Sequence, residues 1–285
     1  MGTLYVVATP IGNLNDMTKR AIETLKEVDI ILCEDTRTSM KLLNNFDIKN
    51  KLMSYHKYNE QEQTKNIIKL LKQDKNIAII TDAGTPCISD PGYILVKEAR
   101  ENNITVIPIG GISALITALS ASGIETDKFT FQGFFPRETK DKTKLLEELN
   151  KTTIKVHIFY ESPKRIIKTL EYLKNNLDIE KISIFKELTK LHEKNYYGTL
   201  EEVLDKLQNE EKTNQGEYTF IIKTKPKQET KKEQNISLEA LIIDKLIKEQ
   251  KTIKEIIEIL NKENHNISKK ALYNASLNLK QILKK

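Results

Sequence analysis

The chain of 285 residues is long enough for two compact domains and a sizeable core. Its 46 basic and 40 acidic side chains give a formal charge of +6, compatible with a polyanionic partner without requiring one. Two cysteines, Cys33 and Cys87, with no CxxC and no Cys/His pairing at metal spacing, argue against a structural zinc site, and no metal is expected.

No apolar run approaches the ~20 residues of a membrane span. The opening MGTLYVVATPIGN has no basic region ahead of its strand-length apolar stretch, so it does not read as a signal peptide. The expectation is a soluble cytoplasmic protein without membrane contact.

The first 130 residues alternate between two periods. Strands are predicted at 4–9, 28–33, 51–55, 77–81 and 105–109, and helices at 18–27, 36–46, 59–72, from about 91, and at 112–121. Short apolar strands alternating with helices imply a mostly parallel sheet covered on both faces. At 133–142, GFFPRETKDK reads as a charged, turn-rich bridge. Beyond it, helices at 145–149, 163–173 and 200–207 and strands at 155–160, 181–186 and 218–223 form a smaller mixed α/β domain. KTKPKQETKKEQN (223–235), with five Lys and two Glu, reads as a basic linker, and helices at 238–249, 253–262 and 268–283 follow. For this tail a bland three-helix cap is favoured over helix-turn-helix DNA binding. The expected organisation is an N-terminal α/β domain over 1–133, a second α/β domain over 134–225, a linker over 226–236 and a helical module over 237–285.

Four loops follow four first-domain strands. ATPIGNLND (8–16) lacks GxGxxG, and no GxxxxGK[ST] occurs in the chain, so neither a dinucleotide nor a P-loop is indicated. By itself it is a tight turn made by Pro10 and Gly12. In CEDTR (33–37), Asp35 is a ligand candidate or simply a helix N-cap, with Arg37 solvated. TDAGTPCISDPG (81–92) combines Asp82, Gly84, Thr85 and Pro86 as a preformed ligand rim with Asp90 as the expected cap of a helix whose first turn holds Pro91. PIGGISA (108–114) opens a helix through Gly110 and Gly111, where a carboxylate or phosphate is accommodated or where small residues merely ease entry. Each loop is weak evidence alone. Their convergence at the carboxyl ends of one sheet points to a binding cleft.

In the second domain, FYESPKR (159–165) puts Glu161 after a strand and Lys164 and Arg165 in the first turn of a helix, where the dipole disfavours cations unless an anion is near. KELTKLHEKNYYGTL (186–200) mixes Glu187, Lys190 and His192 with two tyrosines, a composition that suits RNA or a plain loop. His56 is a proton-carrier or phosphate-donor candidate, though a lone His is more often structural. His157, in an apolar strand, is expected beside the core, and Cys33 is expected to be a buried small hydrophobe.

Jointly, TPIGNLND, CEDTR, SYHKYNE, TDAGTPCISDPG, PIGGISA, GFFPR, FYESPKR and ELTK…GTL, in this order, resemble the tetrapyrrole methylase superfamily, specifically its branch of 16S ribosomal RNA cytidine 2′-O-methyltransferases. The resemblance covers about the first 225 residues strongly. It implies S-adenosylmethionine as cosubstrate, bound between two α/β domains by Pro10, Gly12, Asn13, Asp82, Gly84, Thr85, Pro86, Gly110, Ser113 and Ala114. It further implies a homodimer acting on 16S ribosomal RNA or the assembled small subunit. Loss of the hydroxyl proton makes Asp35, Glu161 and Glu187 the candidate catalytic carboxylates, with His56 behind them. Arg37, His56, Arg137, Lys164, Arg165 and Lys190 are the candidate RNA contacts. Lys186 stands where the family commonly has Arg, and it offers a point charge in place of a planar fork. Methylation of a tetrapyrrole or other small molecule, and a non-catalytic RNA-binding assembly role, are the competing readings.

Overall fold

The computed structural model describes residues 1–225, 237–263 and 267–282, so the expected linker at 226–236 lies outside the described residues. The chain forms two compact units, Met1–Pro226 and Lys227–Lys285.

The first unit opens with β1 (Thr3–Val7), α1 (Lys19–Glu27), β2 (Ile30–Cys33), α2 (Thr36–Asn44), β3 (Lys51–Ser54) and α3 (Glu60–Lys72). It continues through β4 (Ile77–Ile79), α4 (Tyr93–Glu101), β5 (Thr105–Ile109) and α5 (Ala114–Ser120). The five strands form a wholly parallel sheet in the order β3-β2-β4-β1-β5. Both faces are covered, which is why the strands read as nearly continuous apolar runs. Leu4, Leu32, Ile77 and Ile79 pack on one side with Ile67, Leu71 and Leu95 of the helices. Val7, Ile31, Cys33 and Ala78 pack on the other with Ala21, Leu25 and Leu43. Cys33 is fully buried. Side chains start two helices where the sequence signals them. The Thr18 hydroxyl accepts from the Ala21 N–H at 3.2 Å, and the Asp35 carboxylate accepts from the Arg37 N–H at 2.8 Å.

The same unit then builds a second, mixed sheet: β6 (Phe129–Phe134), α6 (Thr139–Lys151), β7 (Val156–Glu161), α7 (Ile166–Asn176), β8 (Ile179–Lys186), β9 (Lys194–Gly198), α8 (Leu200–Gln208) and β10 (Tyr218–Thr224). Its order is β6-β7-β10-β8-β9, with β6 parallel to β7 and the other pairs antiparallel. The second sheet thus starts at Phe129, ahead of the expected boundary, and the supposed bridge at 133–142 is the end of β6 and the start of α6. α6, α7 and α8 cover one face, burying Leu149, Leu170, Leu173 and Val203 against Phe159, Ile184 and Phe220. The other face receives α5: Ala118 and Leu119 pack with Val156, Ile158, Phe185 and Ile221. A helix that follows a first-sheet strand is therefore core to the second sheet.

The second unit holds α9 (Leu238–Glu249), α10 (Ile253–Glu263) and α11 (Lys269–Ile282). Ile242, Ile256, Leu260, Leu272 and Leu279 form its core. Ser237 and Ser268 cap α9 and α11, each accepting a backbone N–H at 3.2 Å. Among the described residues, no helix is long and apolar enough to cross a membrane.

His157 lies wholly buried in β7, its Nδ1 2.7 Å from the Thr130 hydroxyl and its Nε2 without a partner. Burial, with the charge of Lys155, pushes its pKa down to about 4. An unfolded His titrates near 6.5. Between these values the unfolded chain binds more protons, so this group adds stability as pH rises and removes it on acidification. Urea midpoints taken from pH 6.5 down to 4 should show His157→Gln losing less stability than the parent, by up to about 3 kcal/mol. Equal losses would show that His157 is not the group responsible.

Candidate active site

Because the first sheet is parallel, the loops after β1, β2, β4 and β5 leave one edge. The loops after β1 and β4 are stitched together. Thr9 N–H donates to the Gly84 carbonyl at 2.8 Å, Gly84 N–H returns a bond to the Thr9 carbonyl at 3.1 Å, and the Thr9 hydroxyl donates to the Thr81 carbonyl at 3.1 Å. Gly84 holds φ +87°, a conformation that L side chains rarely adopt, and a Cβ there would lie 3.3 Å from Ile11 Cγ2. In the second sheet the ends of β6 and β7 and the start of β10 face the same way, since β10 runs antiparallel to β7. Between the two edges lies a cleft of about 430 Å³.

Of the residues expected to hold the cosubstrate, Asp82, Gly84, Thr85, Ser113 and Ala114 line this cleft, and so does the catalytic candidate Glu161. The others stand in the same loops without lining it. Pro10 and Pro86 are buried. The Asn13 side chain accepts from the Asn15 N–H at 3.0 Å and starts a short 3-10 turn, Leu14–Asp16. The Gly110 carbonyl accepts from the Thr18 hydroxyl at 3.3 Å. Gly12 lies under the Lys190 stem, and a Cβ there would fall 2.4 Å from Lys190 Cγ. The helix after Gly110 and Gly111 has only seven residues, so it carries little macrodipole with which to hold an anion. Ser113 and Ala114 supply an uncharged wall.

The three carboxylate candidates have other tasks. Asp35 caps α2 and pairs with Arg37 at 3.2 Å; the hydrogen bonds from Arg37 hold its pKa below the usual carboxylate value. Glu187, at φ +55°, accepts from the Lys190 ammonium at 2.8 Å and the Glu217 N–H at 2.9 Å. Glu161 has a side chain with no exposure and accepts from the Ser162 N–H at 2.7 Å, Arg165 at 2.9 Å and the Thr169 hydroxyl at 2.6 Å. Its lone pairs are committed to holding the 162–165 turn.

That carboxylate also explains the misplaced cations of FYESPKR. α7 starts at Ile166, so Lys164 and Arg165 lie in a turn ahead of it and not in its first turn. Arg165 points inward, donating to Glu161 and to the Phe135 and Pro136 carbonyls. Lys190 is likewise turned inward, to Glu187 and Glu217, both at 2.8 Å. Arg37, Arg137 and Lys164 remain exposed, and among the described residues no carboxylate pairs with Arg137 or Lys164. His56 is half-buried; its backbone N–H donates to Asn59 and its Nδ1 lacks a partner. Lys186 is buried against Glu210 at 2.8 Å and bonded to the Lys212 carbonyl, so it faces no external phosphate. Burial would raise the Glu210 pKa, but bonds from Lys186, Tyr196 and Lys194 outweigh it and hold the carboxylate at about 2.

Sequence reasoning missed several cleft residues: Ile11, Glu34, Ile88, Phe134, Tyr160 and Glu217. It also took Asp90 for a helix cap. α4 starts at Tyr93, Gly92 occupies the cap position at φ +128°, Pro91 precedes it, and Asp90 lines the cleft. Burial first, then the nearby charges of Glu34 and Asp82, raise its pKa to about 6, against a lowering bond from Thr81. The clue was Pro91-Gly92 itself, since a glycine two residues past an Asp can take over the helix entrance.

Glu34, Asp82 and Asp90 make the cleft acidic, while Ile11, Ala83, Ile88, Ala114 and Phe134 give it apolar surface. This suits a ligand with a flat apolar part and a positive charge, and it disfavours a phosphate chain.

The model of the Tetrapyrrole (Corrin/Porphyrin) Methylases matches residues 3–204. A Haemophilus influenzae protein named Ribosomal RNA small subunit methyltransferase I is 42% identical over 277 residues, covering 97% of this chain and 96% of its own length. A protein of the same name from Halalkalibacterium halodurans is 50% identical over 221 residues, covering 78% and 75% of the two chains. Among solved structures, diphthine synthase aligns with TM-score 0.63 at 10% identity, covering 79% of this chain and 90% of its own. Uroporphyrin-III-C-methyltransferase from Thermus thermophilus aligns with TM-score 0.54 at 15% identity, covering 78% and 94%. At such identities these two show a shared fold.

Removing the charge of Glu161 strands the three-quarters-buried Arg165. Glu161→Gln should cost about 3 kcal/mol in urea unfolding, whereas the paired change Glu161→Gln with Arg165→Met should recover part of that. A loss under 0.5 kcal/mol would show the pair to be dispensable.

Proposed function

Because the chain belongs to the tetrapyrrole methylase family, we propose that it transfers the methyl group of S-adenosylmethionine to the ribose 2′-hydroxyl of a cytidine in 16S ribosomal RNA. The observation that carries this reading is the 42% identity over 97% of the chain to a relative named for that class of reaction. A tetrapyrrole substrate has in its favour the description of the matched family, Tetrapyrrole (Corrin/Porphyrin) Methylases, and the fold shared at 15% identity with uroporphyrin-III-C-methyltransferase.

The cleft chemistry fits the donor. Its adenosyl part needs apolar surface, which Ile11, Ala83 and Ala114 offer, and its sulfonium and ammonium groups are cations that Glu34 and Asp82 favour. Gly84, Thr85 and Ser113, all in first-sheet loops, are assigned to gripping it. The donor supplies an electrophilic methyl; the protein's part is to hold a weak nucleophile in line with it and to keep water out. RNA meets the protein at the rim, where Arg137, Lys164 and Arg37 contact phosphates. Phe134, 59% exposed at the cleft mouth, offers a face on which an unpaired base stacks. The assembled small subunit and a protein homodimer complete the proposal.

The direct test is transfer of labelled methyl to small subunits from cells lacking the protein, followed by mapping of ribose methylation. A single cytidine should gain the mark, and a porphyrin precursor should gain none. An unchanged map overturns the proposal. Arg137→Ala with Lys164→Ala should weaken RNA binding and flatten the slope of log affinity against log salt by about 2. An unaltered slope would place the phosphate contacts elsewhere.

A further inference from the structure

We propose that Asp90 is the catalytic residue that takes the proton of the ribose hydroxyl, an inference that rests on the methyl-transfer reading above. Cys87 and Ser89 both lie in the left-handed region, at φ +69° and +67°, and Gly84 and Gly92 flank them at +87° and +128°. Four such residues within nine is costly, at about 1 kcal/mol or more for each non-glycine, and such strain collects where a loop must present a side chain. Here it turns Ile88, Ser89 and Asp90 to the cleft. Gly92 relieves Asp90 of the capping duty that its place in the sequence implies. From the second sheet, Gly133 approaches Ser89, with a Cβ built there 3.9 Å from Ser89 Oγ, so the loop meets the opposite wall.

Five carboxylates line the cleft: Glu34, Asp82, Asp90, Glu161 and Glu217. Glu161 accepts three hydrogen bonds, and Glu217 pairs with Lys190 at 2.8 Å. Both are committed acceptors. Asp82 is exposed and takes the Asp35 N–H at 3.4 Å. Asp90 is distinct. The Thr81 side chain lies beside its carboxyl, Glu34 and Asp82 repel its charge, Cys87 lies on its own loop, and Tyr160 of β7 is near it from the second sheet. No cation is among these neighbours. Desolvation and like charge both increase proton affinity, and the resulting pKa of about 6 leaves the group mostly ionised at neutral pH. A base just below the working pH combines the correct protonation state with the greatest basicity, which is the optimum for proton transfer.

In the step, the hydroxyl oxygen forms its bond to the methyl carbon as the carbon–sulfur bond breaks, with that bond's electron pair staying on sulfur. Asp90 receives the hydroxyl proton and passes it to water after the product leaves. No other reactant is needed.

The variant Asp90→Asn keeps the shape and the Thr81 contact while abolishing basicity. With saturating donor, single-turnover methylation of undermethylated small subunits should fall 10²- to 10⁴-fold. In the parent, the rate should drop tenfold per pH unit below about 6, and in the variant that dependence should vanish. Donor binding by calorimetry should change less than threefold, and a carbon-13 carboxyl titration of the free protein should lose its resonance near pH 6. Asp90→Glu should recover part of the rate. If the variant instead weakens donor binding tenfold or more and retains the parent's rate at saturation, Asp90 holds the donor and the proposal fails. It fails equally if the parent shows no carboxyl titrating near 6. Absence of methyl transfer by the parent would defeat the parent reading, while the carboxyl titration still reports on Asp90.

Discussion

Placement of α5 on the second sheet is the contact on which the cleft depends. Ala118 and Leu119 belong to the buried cluster of Val156, Ile158, Phe185 and Ile221, and Ile11 and Ala114 pack at its edge. Each large apolar side chain hidden there contributes on the order of 2 kcal/mol. The helix leaves the first sheet directly after β5, so this burial fixes the distance between the two sets of strand ends. It places Ser113 and Ala114 on one wall and Tyr160 and Glu161 on the other. The bridge between Thr9 and Gly84 adds local rigidity to the first wall, and Glu161 with Arg165 and Thr169 does the same for the second. Neither would define a pocket if α5 were free to shift.

Much of the first sheet was legible because its chemistry is local. β2 is buried along its whole length, and it reads as IILC without alternation. Thr18 and Asp35 announce their helices through side-chain caps. Parallel topology then delivers four loops to one edge with no further information. What failed to read was tertiary. β6 is FTFQGF, broken by Gln132 and Gly133 and shifted in register against β7, so it looks like a loop. β9 is an edge strand, KNYYG, with a charged start and mixed exposure, and alternation cannot mark it. Arg165 looked like a surface cation because its partner, Glu161, is brought within reach by the turn between them. Tyr160 and Phe134 carry no signal of a cleft in their own segments; only the neighbouring sheet makes them walls. Asp90 was misread because Asp before a helix is ordinarily a cap, and the preference was overridden by a glycine able to adopt φ +128°.

The charges divide by depth. Lys186, Lys190 and Arg165 are each engaged with a carboxylate, so they secure the second sheet rather than advertising to polyanions. Arg137 and Lys164 stay outside, exposed. The cleft lining, with Glu34, Asp82 and Asp90, is acidic by contrast. Under the proposed function, this ordering suits a nucleotide sugar that enters while its phosphates stay at the surface.

The acidic floor has one more effect under the proposed chemistry. A sulfonium arriving in the cleft is drawn by the negative side chains of Glu34 and Asp82, but once its methyl has gone the spent thioether is electrically neutral at sulfur. The same carboxylates then lose their hold on the sulfur and keep only that on the ammonium. Turnover itself therefore switches off part of the attraction, biasing the pocket toward exchanging used donor for fresh without any moving lid.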